Sequence, residues 1–259
     1  MADLVIIWVV GTALFGLIIG SFLNVLIYRL NTEGSPSPFF GRSFCPHCQH
    51  VLNWFDLVPI FSFISLNGRC RYCRSPIGLR YPTVELVTAL SFAAVALYTG
   101  IQAPLLLAEN LILTAVLILI FFSDWIFGLI PDEAVIMLGL LGLAAHIGNG
   151  EELALAFSSG LVFASLFALL IVLTRGRGMG WGDVKLVLVM SLVLGWPNIL
   201  LALWLGFVAG GIVSLTLVLL QRKKFNETIA LGPFLVLGTA VAYFYGPTII
   251  SAFFRLYPH

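Results

Sequence analysis

The chain has 259 residues, 60% hydrophobic and only 10% charged, with a formal net charge of +1 and a mean hydropathy of +1.07. A soluble domain carries about 25% charged residues, so this chain cannot cover its own surface with polar groups. A water-soluble globule, a disordered chain and a nucleic-acid binder are therefore excluded. What remains is an all-α polytopic membrane protein.

The apolar segments predict about eight transmembrane helices. The first, 4–27, has no charge. It does not read as a secretory signal, because Asp3 precedes it and the first basic residue, Arg29, follows it. Residues 29–82 are conspicuously polar. The rest of the chain has room for about eight spans at roughly 20 residues each. Further runs follow at 83–98, 105–122, 134–147, 153–173, 184–194, 200–220 and 229–254. Most are too long for strands, and lipid-buried helices tolerate their glycines and prolines. The run at 184–194 is short and is expected to borrow a turn from the Met179–Asp183 approach.

Charge placement sets the orientation. Arg29, Arg42, Arg69, Arg71, Arg74 and Arg80 lie in the polar segment, Arg175, Arg177 and Lys185 flank the sixth run, and Arg222, Lys223 and Lys224 follow the seventh. The connections near Gly100 and Glu151 have no Lys or Arg. Cytoplasmic loops collect these residues, which places 29–82 in the cytoplasm and both termini outside, with Arg255 as the exception. The basic triplet at 222–224 reads as an orientation signal and a contact for anionic lipid.

All four cysteines lie in the polar segment, as Cys45-Pro-His-Cys48 and Cys70-Arg-Tyr-Cys73. Two such turns can offer four thiolates in a tetrahedron at about 2.3 Å from Zn²⁺. A segment with little core of its own can draw its folding energy from the metal. Disulfides and free thiols compete with this reading, but disulfides are disfavoured in the cytoplasm. Four protein ligands leave no open position, so the zinc is expected to be structural. His47 and His50 are expected to be exposed loop residues.

A second chemistry is carried by acids in the membrane region, where charge is costly and usually functional. The candidates are Glu85, Glu109, Asp124, Asp132, Glu133 and Asp183. Alternating helices bring the end of the third and the start of the sixth to the same face, and with them Asp124 and Asp183. Two close carboxylates share one proton, so one can activate water while the other polarises a carbonyl. Glycines 178, 180 and 182 would let a substrate backbone approach Asp183. Capping competes with this reading. Asp132 after Pro131 fits an N-cap, and Asp183 has capping, or pairing with Arg175 or Arg177, as alternatives. Lys185 either biases Asp183 or snorkels. Gly16 to Gly20 reads as close helix packing, Asn24 as a buried amide needing partners, and His146 as a lone polar group.

These residues also form an ordered set of motifs. The first is Gly20-Ser21-Phe22-Leu23-Asn24, continuing to Tyr28-Arg29-Leu30. Then come Arg42-Ser43-Phe44-Cys45-Pro46-His47-Cys48, Asp56-Leu57-Val58-Pro59 with Ser62, and Gly68-Arg69-Cys70-Arg71-Tyr72-Cys73. Arg80-Tyr81-Pro82-Thr83-Val84-Glu85 follows. The membrane half adds Asp124 with Ile130-Pro131-Asp132, Gly180-Trp181-Gly182-Asp183-Val184-Lys185, and Gly232-Pro233-Phe234. In this order, over nearly the whole chain, they resemble the bacterial prepilin peptidases. The resemblance implies a GxGD-type membrane aspartic protease with catalytic residues Asp124 and Asp183, cleaving the N-terminal leader of type IV prepilins or pseudopilins after glycine. Asp132 matches an acid that is not the usual catalytic partner. Many members have a second acid where this chain has Ile126. Many also N-methylate the new terminus with S-adenosylmethionine, and those usually carry the cysteine segment. No Rossmann fingerprint marks a methyl-donor site, and Glu85 with the first-helix motif is the candidate contact.

The expected organisation is a first helix at 1–28, a zinc-binding domain at 29–82 and a membrane peptidase domain at 83–259, in the bacterial inner membrane. The alternative is a proton-coupled transporter using the same aspartates.

Overall fold

A computed structural model describes residues 2–32, 34, 37–147, 150–176, 179–221 and 230–256. Arg177, Gly178 and the basic triplet 222–224 lie outside the described residues. The described residues are helical, with two isolated bridges and no strand. The helices are α1 (Ala2–Leu30), α2 (Phe61–Ser65), α3 (Arg80–Thr99), α4 (Pro104–Phe127), α5 (Asp132–Ala145), α6 (Gly150–Thr174), α7 (Trp181–Leu194), α8 (Asn198–Leu219) and α9 (Gly232–Leu256). Leaving aside α2, these are the eight expected helices in the expected order. The sixth begins at Trp181, so it does borrow the preceding turn. Six of them (α1, α3, α4, α6, α8 and α9) are long and apolar enough to cross a membrane. α5 and α7 have 14 residues each. At 1.5 Å per residue they are about 21 Å long, short of the roughly 30 Å hydrocarbon core.

The chain divides into two compact units, Met1–Leu119 and Ile120–His259, the division falling within α4. In the first unit, α1 and α3 pack antiparallel. A Cβ on Gly16 would lie 2.8 Å from Ala89 Cα, and one on Gly20 would lie 2.7 Å from Glu85 Cα. The glycines at this i, i+4 spacing are thus the surface on which α3 rests. Asn24 finds its partners here, donating to Gly20 O at 3.3 Å and to Tyr81 O at 3.0 Å.

In the second unit α7 is central. Its Leu186, Val187 and Met190 are fully buried. α5 runs parallel to it, with Gly139 against Val189 and Gly142 against Leu192. α6 runs antiparallel, joined by Ser191, which donates to Ala156 O at 2.7 Å and sits 2.9 Å from the Ser159 hydroxyl. α8 and α9 form an antiparallel pair in which Gly206 meets Leu235 and Gly210 meets Phe234. His146 is not a lone group: its Nε2 lies 3.0 Å from Leu192 O, and its Nδ1 lies 3.9 Å from Glu152.

Candidate functional site

Helix directions in the second unit gather several termini at one end: the C-terminus of α4 and the N-termini of α5, α7 and α9. Asp124 lies in the last turn of α4 and Asp183 in the first turn of α7. Both are buried, at 7% exposure, and Asp183 feels the charge of Asp124. Asp183 Oδ2 accepts the Gly180 N–H at 3.2 Å, so the carboxylate is turned back over its own helix start. Asp124 lies beside the backbone N–H of Gly232, the first residue of α9. Its Oδ2 is buried without a hydrogen-bond partner. A Cβ at Gly232 would fall 2.5 Å from that oxygen. The positive dipole ends of two helix starts therefore lie at the two acids.

Several sequence expectations change here. Asp132 is not an N-cap: Pro131 holds that position, and Asp132 pairs at 2.7 Å with Lys185. Lys185 is thereby the partner of Asp132. Asp183 makes no ion pair with Arg175. Gly180 leaves open space next to Asp183, but Gly182 does not, because a Cβ there would meet Ile130 at 3.2 Å. Gly232 is the residue whose part in the site the sequence did not indicate. Its Gly-Pro-Phe motif was visible, but its distance along the chain hid the contact.

The four cysteines come together in the first unit, their sulfurs all within 4.8 Å of one another. None of the four is in a disulfide. Cys45 Sγ and Cys73 Sγ are 3.9 Å apart, close to the edge of about 3.8 Å of a tetrahedron with 2.3 Å Zn–S bonds. The two turns are built alike. Gln49 N–H and Arg74 N–H return to Cys45 O and Cys70 O, and Cys45 N–H and Cys70 N–H donate to His50 O and Ser75 O. The residue after each second cysteine has positive φ, 59° at Gln49 and 62° at Arg74. The Ser75 hydroxyl, 2.6 Å from Cys73 Sγ, draws that thiol down to about 6. At Cys48 the His50 backbone favours the thiolate, but desolvation and the neighbouring sulfurs push the thiol up to about 11. Four sulfurs this close need a cation before all can carry charge, and the donor set fits zinc. His47 and His50 are exposed, as expected.

Two polar anchors hold the segment. Arg29, buried at the end of α1, donates to the carbonyls of Ser37, Pro38, Phe40, Gly41 and Arg42. Asp56 accepts from Arg71 Nε at 2.7 Å, Tyr72 Oη at 3.1 Å and Asn53 N at 3.2 Å. Burial opposes its charge, but these donors outweigh burial and hold the Asp56 carboxyl below its usual range. Glu85 lines a cavity of about 330 Å³ in this unit, and its Oε2 accepts the Ile60 N–H at 2.7 Å.

Residues 14–99 match the bacterial Peptidase A24 N-terminal domain, and residues 111–215 match the type IV leader peptidase family. A protein of Aeromonas hydrophila is 35% identical, over 91% of this chain and 90% of its own length. One of Burkholderia pseudomallei is 35% identical, covering 89% and 83%, and one of Bacillus subtilis is 32% identical, covering 94% and 96%. The chain belongs to the type IV leader peptidase family. All three relatives are named prepilin leader peptidase/N-methyltransferase. The first family match contains the four cysteines and Glu85, and the second contains Asp124 and Asp183. The comparisons give the transporter alternative no support. No solved structure matches.

Proposed function

We propose that this chain is a multi-pass aspartic endopeptidase and N-methyltransferase of the bacterial inner membrane, processing the leaders of type IV prepilins or pseudopilins. Cleavage follows the glycine that ends the leader. Asp124 and Asp183 are the catalytic pair. The observation that supports this is their burial at one gathering of helix ends, within reach of each other's charge. Two adjacent carboxylates cannot both ionise cheaply, so the pair holds one proton. Asp183 is fixed by the Gly180 N–H and is suited to take a proton from water. The partnerless Oδ2 of Asp124 is suited to carry the proton that polarises the scissile carbonyl. Water is the nucleophile, and no covalent enzyme intermediate forms.

The proposed organisation is a first helix at 1–28, a cytoplasmic zinc-binding domain at 29–82 and a membrane peptidase domain at 83–259. Both termini lie outside, and lipid surrounds the apolar helix faces. Cys45, Cys48, Cys70 and Cys73 hold a structural Zn²⁺. S-adenosylmethionine, when bound, would supply an electrophilic methyl for the new terminal amine of the pilin, with Glu85 in the wall of the first unit's cavity the residue that would face it.

The test is leader release from a prepilin by the detergent-solubilised chain. Asp124→Asn and Asp183→Asn should each abolish cleavage, since general acid–base help alone is worth about 10²–10⁴-fold. The double variant should be little worse than either single one. A well-folded single variant cleaving at near the wild-type rate overturns the pair.

A further inference from the structure

The cavity of the first unit lies among α1, the start of α3 and the cysteine segment, and Ser21, Asn24, Phe44, Phe63, Tyr81 and Glu85 are among the residues lining it. Its volume of about 330 Å³ falls within the range of about 300–1,000 Å³ typical of cofactor pockets. The other charges in its wall are committed. Arg29 is spent on five loop carbonyls, Asp56 on Arg71 and Tyr72, and Arg80 on the ring and hydroxyl of Tyr81. Glu85 is different. It is 8% exposed, has the Ile60 N–H and the Ser21 hydroxyl as donors, and meets no Lys or Arg among the described residues.

A buried carboxylate without a cation is costly, and a ligand that brings one relieves the cost. An ionised carboxylate has about four acceptor sites, and the Ile60 N–H and the Ser21 hydroxyl use only two of them. Ile60 itself is held at φ 59°, ψ −47°, a region that β-branched residues avoid and that collects at ligand sites.

We propose that this cavity is the methyl-donor site, with Glu85 the counter-charge to the cationic methionine end of S-adenosylmethionine and the aromatic wall receiving its base. This rests on the methyltransferase reading above. Sulfonium and ammonium supply the cation that Glu85 does not find in the wall, where Arg29, Arg71 and Arg80 are held by other groups, and the adenine supplies a flat apolar body.

Equilibrium binding of radiolabelled S-adenosylmethionine to the zinc-loaded full chain in detergent, without peptide, tests the assignment. Glu85→Gln keeps an acceptor for the Ile60 N–H and removes only the charge, so a purely structural Glu85 would not register. Binding should weaken at least about tenfold, with zinc content unchanged. Binding within twofold of wild type overturns the site. Ultraviolet photolabelling of the wild-type chain by the donor gives a second readout that needs no variant. Label on peptides within 21–85 supports the site, and label confined to 120–256 overturns it. A wild-type chain that releases leaders but neither binds the donor nor methylates removes the methyltransferase reading itself, an outcome distinct from loss of the site alone.

Discussion

Across residues 31–79, Cys45 and Cys70 are the buried residues among those described, whereas α7 alone buries Leu186, Val187 and Met190 completely. The two regions solve the folding problem by different means. The cysteine segment stands on directed polar contacts: the five carbonyls gathered by Arg29, the Asp56 junction and the paired sulfur turns. The helices around Asp124 and Asp183 stand on close apolar packing, and polar groups appear there chiefly at the helix ends. The first region should therefore be sensitive to chemistry, and the second to shape.

The largest effect that would test this contrast comes from the sulfurs. Cys45→Ser or Cys70→Ser should release zinc, removing a contribution that reaches about 10–16 kcal/mol in zinc-finger peptides. Trypsin should then cut readily at Arg42, Arg69, Arg71 and Arg74. Unchanged cutting, or no zinc in freshly purified reduced protein, would break the comparison on its polar side.

Next is a change of shape alone. Gly232→Ala places a methyl 2.5 Å from Asp124 Oδ2. Displacing a reacting group by about 1 Å can cost on the order of 10²-fold, so leader release should fall by about that factor while zinc content stays at the wild-type level. Leader release at an undiminished rate would mean that the Gly232 contact does not shape the site.

A smaller effect depends on pH. The folded Asp56 carboxyl sits below its unfolded value of about 3.9. Its stabilisation is therefore complete above that value and is lost as pH falls through the lower folded one. The stability difference between wild type and Asp56→Asn should be about 1 kcal/mol at pH 6 and should shrink towards pH 3. Hydrogen exchange in the cysteine segment measures it, and a difference that grows on acidification would reverse the sign and refute the account.

The smallest effect belongs to the exposed Asp132–Lys185 pair, 64% and 52% exposed. Such pairs contribute about 0–1 kcal/mol, so Asp132→Asn should keep leader release within a few-fold of wild type. Abolished release would make Asp132 part of the chemistry.

The features legible in the sequence were those written locally or by alternation. Four cysteines at C-x2-C spacing announce their own cluster, because each pair needs only one tight turn. Hydropathy marks eight helices because lipid demands long apolar runs, and the alternation of those helices brings Asp124 and Asp183 to one end. What escaped depends on contacts between residues far apart in the chain. Nothing near Gly232 says that its amide meets Asp124, and nothing near Gly182 says that Ile130 covers it. Arg29 read as a topological marker because its carbonyl partners belong to a loop with no repeating pattern. Lys185 looked like a neighbour of Asp183 because the two are close in sequence, but the parallel packing of α5 on α7 gives it to Asp132.

The antiparallel seam of Gly16 and Gly20 against α3 has a consequence for how the cysteine segment is made and repaired. It ties both ends of residues 31–79 together, turning that stretch into a closed loop. Bringing the ends of so long a flexible chain together costs roughly 3–4 kcal/mol, and the helix pair has met that cost before any sulfur finds a metal. Chelation should then loosen the loop without releasing its ends, and fresh zinc should find four ligands still confined to a small volume. Reloading would be a local search within the membrane-held chain, faster than capture of the metal by the same segment cut free as a peptide.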